Sequence, residues 1–179
     1  PEPSRWDDTL DRLGWAPARR TTLRTVSTAD LMAACGPAPD GITVELSADP
    51  SAELLALVEP TLDPEGLARI LTAPVERVFV ALRDADGALV AAGRASTASS
   101  PAGRWAGITS VAVTDGARRR GLGTAVMGEL GRWAAAAGAP STYLQVMAVN
   151  EPAIALYARL GLVLHHTYCY RSPGPISSR

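Results

Sequence analysis

The sequence predicts an α+β fold built around a mixed β-sheet. From residue 42 onward, segments with the two-residue period of strands and segments with the helical period follow one another in the order β-α-α-β-β-β-α-β-α-β. Two of these strands flank the turn Asp84–Gly87 and therefore form a hairpin. A chain of 179 residues is long enough for one domain with a core of its own, with room for an appendage.

The first forty residues add one helix and one strand. Residues 4–13 place apolar side chains on one side of a short helix, for which Ser4 is the candidate cap. Residues 20–26 are rich in Thr, Leu and Val, which favour strands. The segment Cys35–Pro39 has the composition of a linker.

The main domain follows this linker. Its predicted strands are 42–46, 76–83, 88–96, 104–113, 142–147 and 162–171, and its predicted helices are 52–58, 65–71, 122–137 and 152–160, with a loop at 97–103. The predicted division of the chain is therefore a helix-strand appendage at 1–38, the main domain at 39–171 and a flexible tail at 172–179.

The appendage resembles the end of the main domain. Leu10–Trp15 aligns with Tyr157–Leu162, and the same offset, continued without a gap, places Arg24 on Arg171. One hypothesis is that residues 1–27 are the last helix and strand of an upstream half. The alternative is coincidence, because Arg-Leu-Gly is a common helix ending.

The composition excludes several classes of protein. Hydrophobic residues make up 47% and charged residues 20%, as in ordinary globular proteins. A net charge of −1 gives no general affinity for nucleic acid, and no apolar run is long enough to span a membrane. Cys35 and Cys169 are far apart and are expected to be free thiols in a reducing compartment, so a cytoplasmic location is expected.

The chain is organised around residues 108–133, which are predicted to form a strand, a glycine-rich basic turn and a helix. The helix carries Leu122, Val126, Leu130 and Trp133 on one face. Glycines in the turn allow backbone N–H groups to approach a ligand, and the first N–H groups of a helix favour an anion.

Three consecutive arginines, Arg118, Arg119 and Arg120, precede Gly121 in this turn and add positive charge and fork-shaped donors. The turn is therefore a candidate pyrophosphate site, although a solvated surface turn would have the same composition. It does not match the P-loop, and the Rossmann glycine pattern fails because Val126 stands where the third glycine would be.

Two ordered motifs in the chain resemble those of the GNAT superfamily of N-acetyltransferases. The first is Arg118-x-x-Gly121-x-Gly123, preceded by Val111-Ala112-Val113 on a strand. The second is the strand Leu144-Gln145-Val146, followed by Asn150, by Leu156-Tyr157 on a helix and by Leu160-Gly161. The resemblance extends over residues 41–171 and is densest from 108 to 171.

The resemblance implies a mostly antiparallel sheet of about six or seven strands with one splayed parallel pair, flanked by about four helices. It also implies acetyl-CoA as cosubstrate, with its pantetheine arm along the open edge of one strand and its pyrophosphate at the basic turn. The residues implied in cofactor binding are Val111, Ala112, Val113, Arg118, Arg119, Arg120, Gly121, Leu122, Gly123, Thr124, Asn150 and Tyr157.

Tyr157 is the candidate general acid, since a phenol can donate a proton to a departing thiolate. Its spacing also allows a plain core position beside Ile154 and Leu160. Asn150 is the candidate pantetheine contact, and it is equally a preferred helix cap before Glu151-Pro152.

The resemblance does not identify a general base. Several GNAT enzymes carry a Glu early on the central strand, whereas the matching stretch Trp105–Ile108 contains no acidic residue. Trp105 itself is a candidate for the lining of an acceptor pocket. Glu76, Glu45, His165, His166 and ordered water remain as alternatives. The two adjacent histidines are expected on opposite faces of a strand, so no metal site is predicted.

The sequence thus predicts an N-acetyltransferase that moves an acetyl group from acetyl-CoA to a primary amine by direct attack in a ternary complex. The acceptor is expected to be a small molecule or a peptide, with no nucleic-acid or membrane partner, and the protein to be a monomer or homodimer. The alternatives are an acyl-CoA-binding module without turnover, and an acyltransferase that uses longer acyl chains or an antibiotic acceptor.

Overall fold

The computed structural model describes residues 5–101 and 103–173 and confirms the α+β fold. The strands of the described residues are β1 (Trp15–Ser27), β2 (Thr43–Ser47), β3 (Arg77–Arg83), β4 (Leu89–Ser100), β5 (Gly103–Val113), β6 (Ser141–Met147) and β7 (Val163–Pro173). The helices are α1 (Arg5–Arg12), α2 (Thr28–Ala34), α3 (Ala52–Val58), α4 (Pro64–Thr72), α5 (Leu122–Ala136) and α6 (Glu151–Arg159). Among these helices, none has the length and apolar character that a membrane span requires.

The seven strands form one sheet in the order β2-β3-β4-β5-β6-β1-β7. Every neighbouring pair is antiparallel except β5 and β6, which are parallel. The expected mixed sheet with a single parallel pair is therefore confirmed, and that pair lies at the centre of the sheet.

The larger core lies between the sheet and α5. The apolar face predicted for this helix is buried, with Leu122, Val126 and Leu130 at most 1% exposed. The helix packs closely because β4 presents Gly93 to it. On the opposite face of the sheet, α3 and α4 cover Phe79 and form a second apolar cluster.

We expect Gly93→Ala to lower the free energy of unfolding by about 1–3 kcal/mol, the usual cost of overpacking a core. A Cβ at this position would overlap Val126 Cγ1 and lie 3.0 Å from Leu130 Cδ1. Urea unfolding monitored by fluorescence measures the change. The matched control is Gly36→Ala, whose added Cβ meets nothing within 4 Å. Equal stability of the two variants would show that α5 can move away from β4 at little cost.

Several boundaries differ from the sequence prediction, among them the start of β1, which is Trp15 and not residue 20. The predicted loop 97–103 is instead the end of a long hairpin, because β4 runs to Ser100 and β5 begins at Gly103. Ser172 and Pro173, which the sequence assigned to the tail, pair with β1 at the end of β7. The candidate cap Ser4 and residues 174–179 lie outside the described residues.

The strand predicted at 20–26 is the middle of β1, which lies inside the sheet. It pairs with β6 along one edge and with β7 along the other. Strand β1 belongs to the predicted appendage and pairs with two strands of the predicted main domain. The two predicted segments therefore contribute to one sheet.

The helix-strand units α1-β1 and α6-β7 pair through their antiparallel strands and make matching hydrogen bonds with each other. Arg24 Nη1 donates to the carbonyl oxygen of Leu162 at 3.2 Å, and Arg171 Nη1 donates to the carbonyl oxygen of Trp15 at 3.1 Å. Arg171 and Leu162 follow Arg24 and Trp15 by the same offset of 147 residues. These two hydrogen bonds are thus equivalent under the sequence repeat.

Candidate functional site

The basic turn connects β5 to α5 in a conformation that leaves the start of the helix open. A short 3₁₀ turn, Asp115–Ala117, ends the strand segment, and Arg119 and Gly121 then adopt positive φ angles of 62° and 80°. Gly121 is the N-cap of α5, and no side chain caps the helix there. The first N–H groups of α5 are therefore available to an anion.

The parallel strands β5 and β6 part at the site. Their pairing extends from Trp105↔Ser141 to Ile108↔Leu144, after which β5 continues to Val113. The opposite edge of this part of β5 remains paired with β4. A register shift between β4 and β5 and the positive φ of Ser110 (56°) accompany the parting, and bulges of this kind redirect strands next to functional sites.

A groove of about 1000 Å³ runs from this open strand edge to the start of α5 and on to α6. All of the residues predicted to bind the cofactor line it except Arg120. A further wall of the groove comes from α3 through Ala56 and Leu57, neither of which was predicted to bind the cofactor. That wall is far away in sequence and has no motif, so only the fold brings it to the site.

Of the three arginines, Arg118 and Arg119 line the groove. Arg118 forms an ion pair with Asp115 at 2.8 Å, between side chains that are 67% and 90% exposed. Its charge is therefore shared with a neighbouring carboxylate, whereas no ion pair is described for Arg119. Arg119 is therefore the candidate in this turn for a charge-assisted contact with an anion in the groove.

Tyr157 both packs in the core and lines the groove. Its side chain belongs to the main apolar cluster and is 8% exposed. Burial raises the pKa of its phenol above the ordinary value, because the charged phenolate is poorly solvated there. The group is thus held in its protonated form, as a proton donor must be.

Asn150 also has two roles. Its Oδ1 accepts a hydrogen bond from the backbone N–H of Ala153 at 3.3 Å and so caps α6. The same residue lines the groove. The cap orients the first turn of α6, and with it the position of Tyr157 one and a half turns later.

The two candidate carboxylate bases are bound to arginines outside the groove. Glu45 accepts a hydrogen bond from Arg83 at 3.0 Å, between the edge strand β2 and its neighbour β3. Glu76 is bonded to Arg104 and to the hydroxyl of Thr97. Neither carboxylate lines the groove.

The expectation that His165 and His166 lie on opposite faces of a strand is wrong. The register of β1 and β7 shifts between Leu23 and Arg24, so the strand bulges at the histidines and breaks the alternation. Their Nδ1 atoms approach to 2.7 Å, and both rings line a second pocket together with Trp105. In the described part of the chain, no three His, Cys, Asp or Glu side chains are placed to hold a metal ion.

Residues 8–171 match the sequence profile of a family described as "Probable histone acetyltransferase Rv0428c C-terminal". None of the curated proteins matches the sequence. Because the profile covers most of the chain, it establishes the family.

Solved structures show the same fold. A GCN5-related N-acetyltransferase from Kribbella flavida has a TM-score of 0.69 at 22% identity, over 96% of this chain and 65% of that one. A tandem GNAT protein from the clavulanic acid biosynthesis pathway has a TM-score of 0.74 at 16% identity, over 98% of this chain and 61% of that one. An aminoglycoside acetyltransferase from an uncultured soil metagenomic sample has a TM-score of 0.57 at 23% identity, over 76% of this chain and 99% of that one.

This chain spans less than two thirds of the length of the first two of these proteins. Identities this low establish the fold alone, and the family rests on the profile. The chain belongs to the family described as "Probable histone acetyltransferase Rv0428c C-terminal", and it has the fold of GNAT proteins.

Proposed function

We propose that this protein is an acetyl-CoA-dependent N-acetyltransferase that acts on a primary amine by direct attack in a ternary complex. The observation that carries the proposal is a single groove that joins three features. These are the unpaired edge of β5 at Val111–Val113, the uncapped start of α5 and the buried phenol of Tyr157.

The groove fits the parts of acetyl-CoA. The N–H groups at the start of α5, with Arg118 and Arg119, provide donors for a pyrophosphate. Gly123 allows the first turn of α5 to lie close to α6, since a Cβ on it would lie 3.1 Å from Leu156 Cδ2. The free backbone groups of Val111–Val113 can hydrogen-bond the amides of the pantetheine arm as a neighbouring strand would.

Acetyl-CoA would supply an activated acyl group, and the residues of this chain would supply orientation and a proton. Backbone N–H groups on the open edge of β5 can hold the reacting carbonyl. The phenol of Tyr157 can give its proton to the sulfur as the C–S bond breaks, while the new C–N bond forms and the amine loses a proton to a base. His165 and His166 are the candidate bases that line a pocket beside the parting strands.

The family description suggests a peptide amine, and the aminoglycoside acetyltransferases among the similar structures suggest a small molecule. Both acceptor classes supply the primary amine that the proposed reaction needs.

We expect acetyl-CoA to bind at one site in a calorimetric titration, and amine-dependent release of free thiol to follow in a screen of acceptors. Acetyl-CoA with the protein but without an amine is the control for release, because it reports hydrolysis of the thioester. Binding without release for any amine would favour the acyl-CoA-binding module without turnover. No binding of acetyl-CoA or other acyl-CoAs would contradict the proposal.

We further propose that α1-β1 is the remnant of an upstream GNAT-like half. The equivalent hydrogen bonds of Arg24 and Arg171 support a duplication, and a tandem GNAT protein is among the similar structures. On this proposal, the upstream half contains its own equivalent of β6. That strand is expected to pair with the outer edge of β7, in the same way that β6 pairs with β1. A longer structure that leaves this edge without such a strand would contradict it.

A further inference from the structure

A second pocket of about 310 Å³ lies on the face of the sheet that α5 does not cover. Ala106 and Ile108 of β5 point toward the α5 side, so Trp105 and Gly107 point to the opposite face. The ring of Tyr143 lies against Gly107, where an added Cβ would come within 2.7 Å of it. The pocket is thus built partly on a glycine that makes room for an aromatic ring.

The pocket lies beside the place where β5 and β6 separate. Tyr143 is one residue before the last parallel pair, Ile108↔Leu144. From Gly107 to the edge of the cofactor groove at Val111 there are four residues, or about 13 Å of extended strand. A molecule in this pocket can therefore reach the point where a reacting acyl group would lie between the parted strands.

The walls of the pocket are apolar and aromatic. Trp105 and Tyr143 meet edge to face with ring centroids 6.4 Å apart, and Leu23 and Ala98 contribute apolar surface. None of the described residues that line it is Asp, Glu, Arg or Lys. Its polar end is formed by the imidazoles of His165 and His166.

This lining is unsuited to a polycation. Burying several ammonium groups without carboxylates to pair with them is costly, whereas an aromatic ring gains from apolar contact and from edge-to-face packing. We propose that this pocket binds the acyl acceptor, and that the acceptor is a primary amine attached through a short linker to an aromatic or similarly bulky apolar group. The proposal rests on the proposed acetyltransferase function and names its substrate class.

Binding is tested by calorimetric titration of 2-phenylethylamine into the protein in the presence of saturating CoA. Trp105→Ala is expected to weaken binding about tenfold, because a large part of the aromatic contact area is lost. Ala98→Trp is expected to abolish binding by filling the pocket from an exposed position, so it tests the site without opening the core. Tyr170→Ala, which removes an exposed aromatic ring from β7 outside the pocket, is the matched control and is expected to bind normally.

Turnover is compared for 2-phenylethylamine, kanamycin and a histone-tail peptide, each with acetyl-CoA. We expect kcat/KM for 2-phenylethylamine to exceed the other two by about tenfold or more, the discrimination that one well-fitted apolar group provides. A preference for kanamycin or the peptide would overturn the substrate class and leave the acetyltransferase function in place. Binding of 2-phenylethylamine that is unchanged in both pocket variants would overturn the site.

The two proposals fail in different ways. If acetyl-CoA does not bind and no amine is acetylated, the acetyltransferase function fails. Loss of 2-phenylethylamine binding in Ala98→Trp would still support the pocket in that case, because the titration does not depend on acyl transfer.

Discussion

Replacing Tyr157 with Phe is expected to lower kcat by about 100-fold or more, the usual contribution of a general acid. The affinity for acetyl-CoA is expected to change by less than about twofold, because the phenyl ring preserves the packing of α6 against the core. Steady-state kinetics measure the first value, and calorimetric titration of acetyl-CoA measures the second.

The pH dependence of the wild type gives an independent test. Burial raises the pKa of Tyr157, and the protonated phenol is the active form. On the alkaline side of the profile, the rate should therefore fall only when the pH exceeds the ordinary phenol pKa of about 10. Tyr168→Phe is the matched control, since it removes a phenol from β7 outside both pockets and should leave kcat unchanged. Unchanged turnover in Tyr157→Phe would remove Tyr157 from the role of acid.

The second large effect is expected from Arg119→Ala, which should weaken acetyl-CoA binding by about tenfold or more. A charge-assisted contact to a phosphate contributes about 1.5–3 kcal/mol, and each 1.4 kcal/mol is a factor of about ten in affinity. Arg119 lines the groove and, unlike Arg118, has no carboxylate partner among the described ion pairs. Calorimetric titration of acetyl-CoA at two salt concentrations measures the effect.

The neighbouring Arg120→Ala is the control for Arg119→Ala. It removes the same charge from the same turn, but its residue does not line the groove, so its effect should stay within about twofold. The salt dependence of binding should become weaker in Arg119→Ala and stay the same in Arg120→Ala. Equal effects of the two substitutions would mean that the turn acts only through its overall charge.

The parts of the site that depend on neighbouring residues could be predicted from the sequence. The strand, the glycine turn and the start of α5 occupy one stretch of about twenty-six residues, so their order alone brings donors and glycines together. The pattern from Asn150 to Tyr157 is equally local, because a helix fixes the spacing of its own side chains.

Other parts depend on long-range pairing and could not be predicted. The strand character of residues 20–26 was evident from their Thr, Leu and Val content, but its position between β6 and β7 depends on partners more than a hundred residues away. The pocket at Trp105 draws its walls from β1, β4, β5, β6 and β7. The bulge that brings His165 and His166 together is a pairing irregularity that side-chain alternation cannot reveal.

The position of β1 also determines the order in which the molecule can fold. Thr22 donates to the carbonyl oxygen of Val146, 124 residues later, so β1 has no partner in the sheet until the residues of β6 and β7 have been synthesised. Contacts between residues far apart in sequence slow folding. Until β1 is paired, its exposed backbone groups can also promote aggregation. The sheet is continuous from β6 to β7 only when β1 has paired with both. Strands β1 and β7 are therefore expected to gain protection from hydrogen exchange together, in the last step of folding.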